Sequence, residues 1–238
     1  MTQDFDHPDT SRDGTNGAAG AEGAVATEDL ATELARYNHG RVPRELRYRQ
    51  VLAEADVLFT ERGFHGTSMD DLAQRVGVSK PVIYDLVGSK DQLFQEVMTR
   101  VADDLSTAIR DAVAAEPDPD LGLYAGSLAF FTFVRDRRAA WQSLLRADAA
   151  PVNTAIGEIR RRQTDLVIEL LADGAQRQGL TIDPLQIEAS AHAINGANEA
   201  LAAWWLDHEE LTPEDVTALV TVLIAPGLEA LGHGGLPT

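Results

Sequence analysis

Residues 59–94 read FTERGFHGTSMDDLAQRVGVSKPVIYDLVGSKDQLF, and the punctuation of this stretch decides the fold. Thr67 and Ser68 are side-chain N-cap types set directly before the apolar-periodic Met69, Leu72, Ala73 and Val76, so a helix is expected to begin there and lay one stripe on a core. Gly77 ends it, Val78 turns inward, Ser79 caps the next helix, and Pro81 falls in that helix's first turn, where a missing N–H costs nothing. Two short helices joined by about three residues with a glycine form a helix-turn-helix, whose second helix, Ser79 to about Leu86, is shaped to enter a major groove.

The same stretch resembles the DNA-binding domain of the tetracycline-repressor (TetR) family of transcriptional regulators. The match is collinear: an apolar LF ending the first helix, GF after it, TSMDDLA opening the second, GVSK before the recognition helix, IY inside it and GSKDQLF opening the fourth. Asp85, Leu86 and Val87 depart from the basic and aromatic residues that the family often carries after the position of Tyr84. The resemblance implies that Tyr84 and Lys90 contact phosphates, that the chain forms homodimers, and that a C-terminal bundle encloses a ligand.

Composition agrees with an all-α class, and the resemblance implies an N-terminal three-helix helix-turn-helix DNA-binding domain followed by a C-terminal helical ligand-binding and dimerisation bundle. Helix formers dominate beyond Pro43 and no period-two strand pattern occurs. At 238 residues and 44% apolar the chain can bury a sizeable core, and with no cysteine it has no disulfide scaffold, thiolate metal site or thiol nucleophile. The six histidines show no paired metal spacing, and no glycine-rich phosphate loop follows a strand, so no enzyme, metal or cofactor is expected. No secretion signal and no eighteen-residue apolar stretch is apparent, which makes a cytoplasmic protein without a membrane partner the expectation.

Charge divides the chain into three parts. Residues 1–40 hold two Arg against eight Asp and Glu, residues 91–238 ten Arg against 23, and residues 41–90 eight basic against seven acidic side chains. Both lysines of the chain, Lys80 and Lys90, fall in that middle part, within an overall net charge of -18. An acidic bulk would repel DNA everywhere but at one end. Three regions follow: an acidic, mostly disordered extension over 1–40, a DNA-binding domain over 41–90, and an effector-binding and dimerisation domain over 91–238. Within the extension, TEDLATELARY is expected to form a short helix capped by Thr27, with Leu30, Leu34 and Tyr37 on one face and Asn38-His39-Gly40 breaking it.

The expected DNA contacts divide by chemistry. Arg44 and Arg47, in a cluster with Arg41 and Arg49 at the start of the first long helix (about Pro43 to Arg62), can reach a phosphate or the minor groove, or stand as solvated surface charge. Thr67 and Ser68 offer hydroxyls and free N–H groups to a phosphate oxygen. Ser79, Lys80 and Pro81 open the groove-facing helix near base edges. Asp85 is placed to accept from a cytosine amino group. Tyr84 offers a phenolic OH, and Ser89 with Lys90 offers another pair of donors. His65, in a loop, is a further phosphate candidate.

Beyond the fourth helix, about Ser89 to Ala115, come an apolar helix over about 120–135, a shorter one over about 137–147, and a long one over about 151–178 whose Arg160, Arg161 and Arg162 face outward. The aromatic concentration marks where a pocket is expected, with Tyr124, Phe130, Phe131, Trp141, Leu145, Ile159, Gln163 and Asn195 as lining residues; core packing accounts for the aromatics equally well. Two last helices, about 183–208 and 212–231, carry small or apolar rows. Ala193, Gly196, Ala197, Ala200, Trp204, Leu219 and Leu223 are the expected interface across a two-fold axis. His192 and Asn195 fit core or interface hydrogen bonds as well as ligand contacts, and Pro226 is expected to kink the last helix. The expected partners are an operator in double-stranded DNA, a second copy of the chain and a small-molecule effector, with repression the expected outcome; the alternative is a DNA-binding regulator without a small-molecule effector, or an activator.

Overall fold

The computed structural model describes residues 30–37, 42–146 and 149–232, side chains at 143–146 excepted. Every regular element among them is helical. The expectations for residues 1–26, Thr27, Asn38 to Arg41 and the Leu145 side chain lie outside the described residues.

A short helix, α1, covers 30–35; Leu30 is buried and Glu33 bonds Arg49 at 2.8 Å, while Tyr37 stays exposed and does not join the expected face. Next come α2 (Arg44–Gly66), α3 (Met69–Val76) and α4 (Lys80–Val87). The expected end of α2 at Arg62 has a local cause. Gly63 takes φ 67, a conformation that glycine adopts without strain, and the chain breaks step there before a last turn reaches Gly66. The hydroxyl of the buried Thr67 then donates to the carbonyls of Gly63 (2.9 Å) and Leu58 (3.1 Å), fastening the corner.

Apolar side chains from all three helices meet the start of α5 (Lys90–Ala115). Phe94 sets its edge against Phe59 and against Phe64, with ring centroids 5.0 Å apart in both cases. At 26 residues and 1.5 Å per residue, α5 spans about 39 Å and carries this small core into the body. There it packs on α6 (Gly122–Asp136), which follows a 3-10 turn at Pro119–Leu121, and on α8 (Ala150–Arg177). The short α7 (Arg138–Arg146) lies on α2, giving the front helices a second contact with the body.

The last two helices, α9 (Pro184–Trp205) and α10 (Pro213–Gly232), close the bundle against α8 and α6 respectively. Pro226 does not end α10, which continues to Gly232. One expectation is corrected: α10 is long and apolar enough, by length and composition, to cross a membrane, and only 17% of its most apolar window is buried. Its outward face carries Leu219, Val222 and Leu223, exposed at 42%, 68% and 72%. Ala193, Gly196, Ala200 and Trp204 are exposed on α9, and Ala197 is half-buried. Arg160, Arg161 and Arg162 are tied up in surface ion pairs. Arg160 reaches Glu199 on α9, Arg162 reaches Asp103 on α5, and bonds from Arg161 and Arg162 hold the Glu158 carboxyl down to about 2.

Candidate nucleic-acid interface and effector cavity

The helix-turn-helix follows from three local devices. Ser68 caps α3, its oxygen accepting from Asp71 N at 3.0 Å. Gly77, at φ 75, stops α3 in the left-handed conformation that only glycine holds cheaply, and its N–H returns to the Ala73 carbonyl. Ser89 then opens α5 with a complete capping box, exchanging bonds with Gln92. Between these caps, α4 buries a single residue, Ile83. Lys80, Pro81, Tyr84 and Asp85 are all exposed on it, together with Val82, which the sequence reading passed over. Val82 is 40% exposed, whereas Leu86 and Val87 at the end of the same helix are half-buried against the core.

Several of the expected contact residues already have partners. Lys80 Nζ lies 2.7 Å from Asp70 Oδ2, and that bond raises the lysine above its ordinary pKa. Arg44 donates to the Asp85 carboxylate at 2.5 Å and to the Asp85 carbonyl at 2.8 Å, so Asp85 anchors an arginine rather than standing free for a base. Arg47 is turned inward, donating to Gln50 and to the Val76 carbonyl at the end of α3. Thr67 is the clearest correction. It is 4% exposed with its hydroxyl proton committed to backbone carbonyls, so it fastens the corner and is closed to phosphate.

Ser79 makes no cap bond, leaving its hydroxyl at the start of α4. Lys90 stands 4.4 Å over the Phe64 ring, and burial lowers its pKa below the ordinary lysine value. His65 packs its ring edge-on against Phe64 at 5.5 Å.

A cavity of about 480 Å³ opens within the body, bounded by α5, α6, α8, α9 and α10. Ile109 and Val113 of α5, Leu123 and Phe130 of α6, and Val167 and Leu170 of α8 give it an apolar wall. Ser127, Gln163, Asn195 and Asn198 contribute polar groups. Of the expected lining residues, Phe130, Gln163 and Asn195 do line it. Phe131 does not: it is fully buried, its ring set edge-on to Trp205 at 5.9 Å. Trp141 and Ile159 pack on the core instead, and Tyr124 is half-buried away from the cavity wall. Asn198 and Ser127 went unnoticed in the sequence, although Asn198 follows Asn195 by three residues and so shares its face of α9.

Comparison with known proteins matches both halves. Residues 51–97 match the family described as bacterial regulatory proteins, tetR family, and residues 119–226 match the tetracyclin repressor-like C-terminal domain. A solved TetR-like transcriptional regulator from Rhodococcus sp. RHA1 superposes with a TM-score of 0.58 at 30% identity, covering 79% of this chain and 99% of that one. The HTH-type transcriptional activator FasR of Mycolicibacterium smegmatis is 27% identical over 190 residues, 79% of this chain and 84% of FasR. The HTH-type transcriptional repressor KstR2 of Mycobacterium tuberculosis is 22% identical over 192 residues, 78% of this chain and 94% of KstR2. Caps, turn glycines, recognition helix and helical body thus agree with both matches, and the chain belongs to the TetR family of bacterial transcriptional regulators.

Proposed function

We propose that this regulator works in the cytoplasm as a homodimeric one-component repressor that leaves its operator when a small, largely apolar molecule occupies the cavity. The carrying observation is the path of α5. Its first turns, with Phe94 and Val97, are built into the small core under the recognition helix, and Ile109 and Val113 on the same helix form cavity wall. A ligand that moves the wall therefore acts on the helix that seats α4, so both sites can bias the position of α5. In this reading residues 41–90 act as the DNA reader and residues 91–238 as sensor and dimer surface.

The exposed rows of α9 and α10 support the dimer. Leu219 and Leu223 with Ala193, Gly196, Ala200 and Trp204 give each subunit one apolar face with small residues that admit close helix approach. Two-fold symmetry would make the operator a near-palindrome whose half-sites lie about 34 Å apart. The FasR relative, named as an activator, favours a second reading in which the same DNA-bound dimer recruits rather than blocks transcription.

Selection of bound sequences from random DNA with the purified protein tests the first step, and a palindromic consensus is the expected result. Reciprocal titration tests the second: effector and operator should weaken each other by the same factor, about five- to 150-fold. Equal operator affinity with and without saturating effector removes the inducer mechanism.

A further inference from the structure

We infer that the cavity is selective for an uncharged hydrophobe bearing a hydroxyl group, recognised by amide oxygens on α8 and α9; this rests on the effector reading above. The starting point is Asn198. Its side chain is only 6% exposed, it lines the cavity, and its Oδ1 is buried with no hydrogen-bond partner. Its Nδ2 donates to Ser127 Oγ at 3.5 Å, the outer limit of such a bond. A buried acceptor left empty is costly, so its persistence in a cavity wall points to a group that arrives from outside.

Two neighbouring amides have their orientation fixed by what lies behind them. Ser106 donates its hydroxyl proton to the Ala102 carbonyl, so Gln163 can only approach Ser106 Oγ with its N–H, which it does at 3.1 Å. Thr164 likewise donates to the Arg160 carbonyl, and Asn195 offers Nδ2 to Thr164 Oγ1 at 3.1 Å. Both amides thus have an N–H committed to the helices and a carbonyl oxygen left over on a residue that lines the cavity. The result is three amide oxygens with no protein donor, beside amide N–H groups that each still have one hydrogen to give.

Arg177, the one cationic residue in the lining, lies about 21 Å further along α8 at 1.5 Å per residue, and Asp120 and Glu229 share the lining with it. A carboxylate placed among the amides would find no cation to balance its charge and has no proton to give their oxygens. A hydroxyl fits on both counts: its proton goes to the Gln163 or Asn195 oxygen, or to Asn198 Oδ1 after a turn of that side chain toward the cavity, and its oxygen can accept from Asn198 or Ser127. The rest of the wall takes the hydrocarbon.

Calorimetric titration of the full chain with three matched probes tests this: 1-decanol, decyl methyl ether, which keeps the oxygen and loses the donor, and decanoate. Decanol should bind at least tenfold tighter than the ether and than decanoate, because the ether leaves the acceptors unpaired. Asn198→Leu should erase most of that preference while raising the Tm of the ligand-free protein, since it removes an unpaired buried group; Gln163→Leu should reduce the preference in the same direction. Equal affinity for all three probes leaves the cavity as an effector site and overturns the hydroxyl selectivity, as does tightest binding of decanoate. Binding of none overturns both.

Discussion

Lys80, at the first position of the recognition helix, is held 2.7 Å from Asp70 in the first turn of the preceding helix. Both side chains are about half exposed or more, so the bond is one that water screens and DNA can displace. If Lys80 meets DNA, binding exchanges this carboxylate for a base edge or a phosphate. Asp70→Asn should therefore raise operator affinity about two- to fivefold, in proportion to an exposed ion pair. Lys80→Ala should instead alter which sequences are preferred, and an unchanged consensus in binding-site selection would remove Lys80 from base readout.

Arg44 and Asp85 form a unit in which one guanidinium spans the carboxylate and the backbone carbonyl of the same residue. This ties the start of α2 to the last turn of α4, whose terminal carbonyls lack helical partners. Breaking either half should have the same consequence, so Arg44→Ala, Asp85→Ala and the double variant should weaken operator binding to similar extents, with coupling of about 0.5–1 kcal/mol in the cycle. The loss should be uniform across operator positions. Relaxation confined to one base pair would instead return Asp85 to a base contact.

Lys90 combines two roles on one side chain. Its stem and ammonium cover the Phe64 ring at 4.4 Å, and burial lowers its pKa. Lys90→Met keeps the cover and deletes the charge. It should leave thermal stability unchanged or slightly raised, yet weaken binding to every sequence and lower the slope of log affinity against log salt by about one unit. An unchanged slope would mean the ammonium meets no phosphate.

The parts of this fold legible in the sequence are those fixed within a few residues. Ser68, Gly77, Ser89 and the α2 break near Arg62 all follow from caps or from glycines at positive φ, and their signals sit beside the elements they end. Thr67 and Ser68 show the limit. Both are good cap types, and which of them caps depends on the Gly63 corner, where the Thr67 hydroxyl finds carbonyls to fasten. The cavity was legible only in outline for a related reason. Aromatic content locates bulk, whereas a void depends on how neighbouring helices are rotated; Phe130 reaches it while the adjacent Phe131 turns to Trp205. Asn198 is not legible because a polar residue one turn from Asn195 on a helix rich in small residues reads the same whether it faces a cavity or a partner helix.

The seam between reader and body carries a titratable group in an unfavourable place. Asp56 of α2 is half-buried near Arg137 and Asp104; burial raises its pKa most, Arg137 opposes this and Asp104 adds to it. Asp104, itself raised first by burial, bonds Arg137 at 3.3 Å. Because the folded pKa of Asp56 lies above its unfolded value, the stability from this site is fully present below the unfolded carboxylate value, about 4, and is lost as pH rises through the folded value. At neutral pH the charged form is therefore a net burden on the seam. Asp56→Asn should raise Tm by about 1–3 °C at pH 7, and the gain should vanish as pH falls below about 4, where Asp56 is neutral in both the folded and the unfolded chain. A gain that persists unchanged at acid pH would show that packing, and not charge, is the difference between the two side chains.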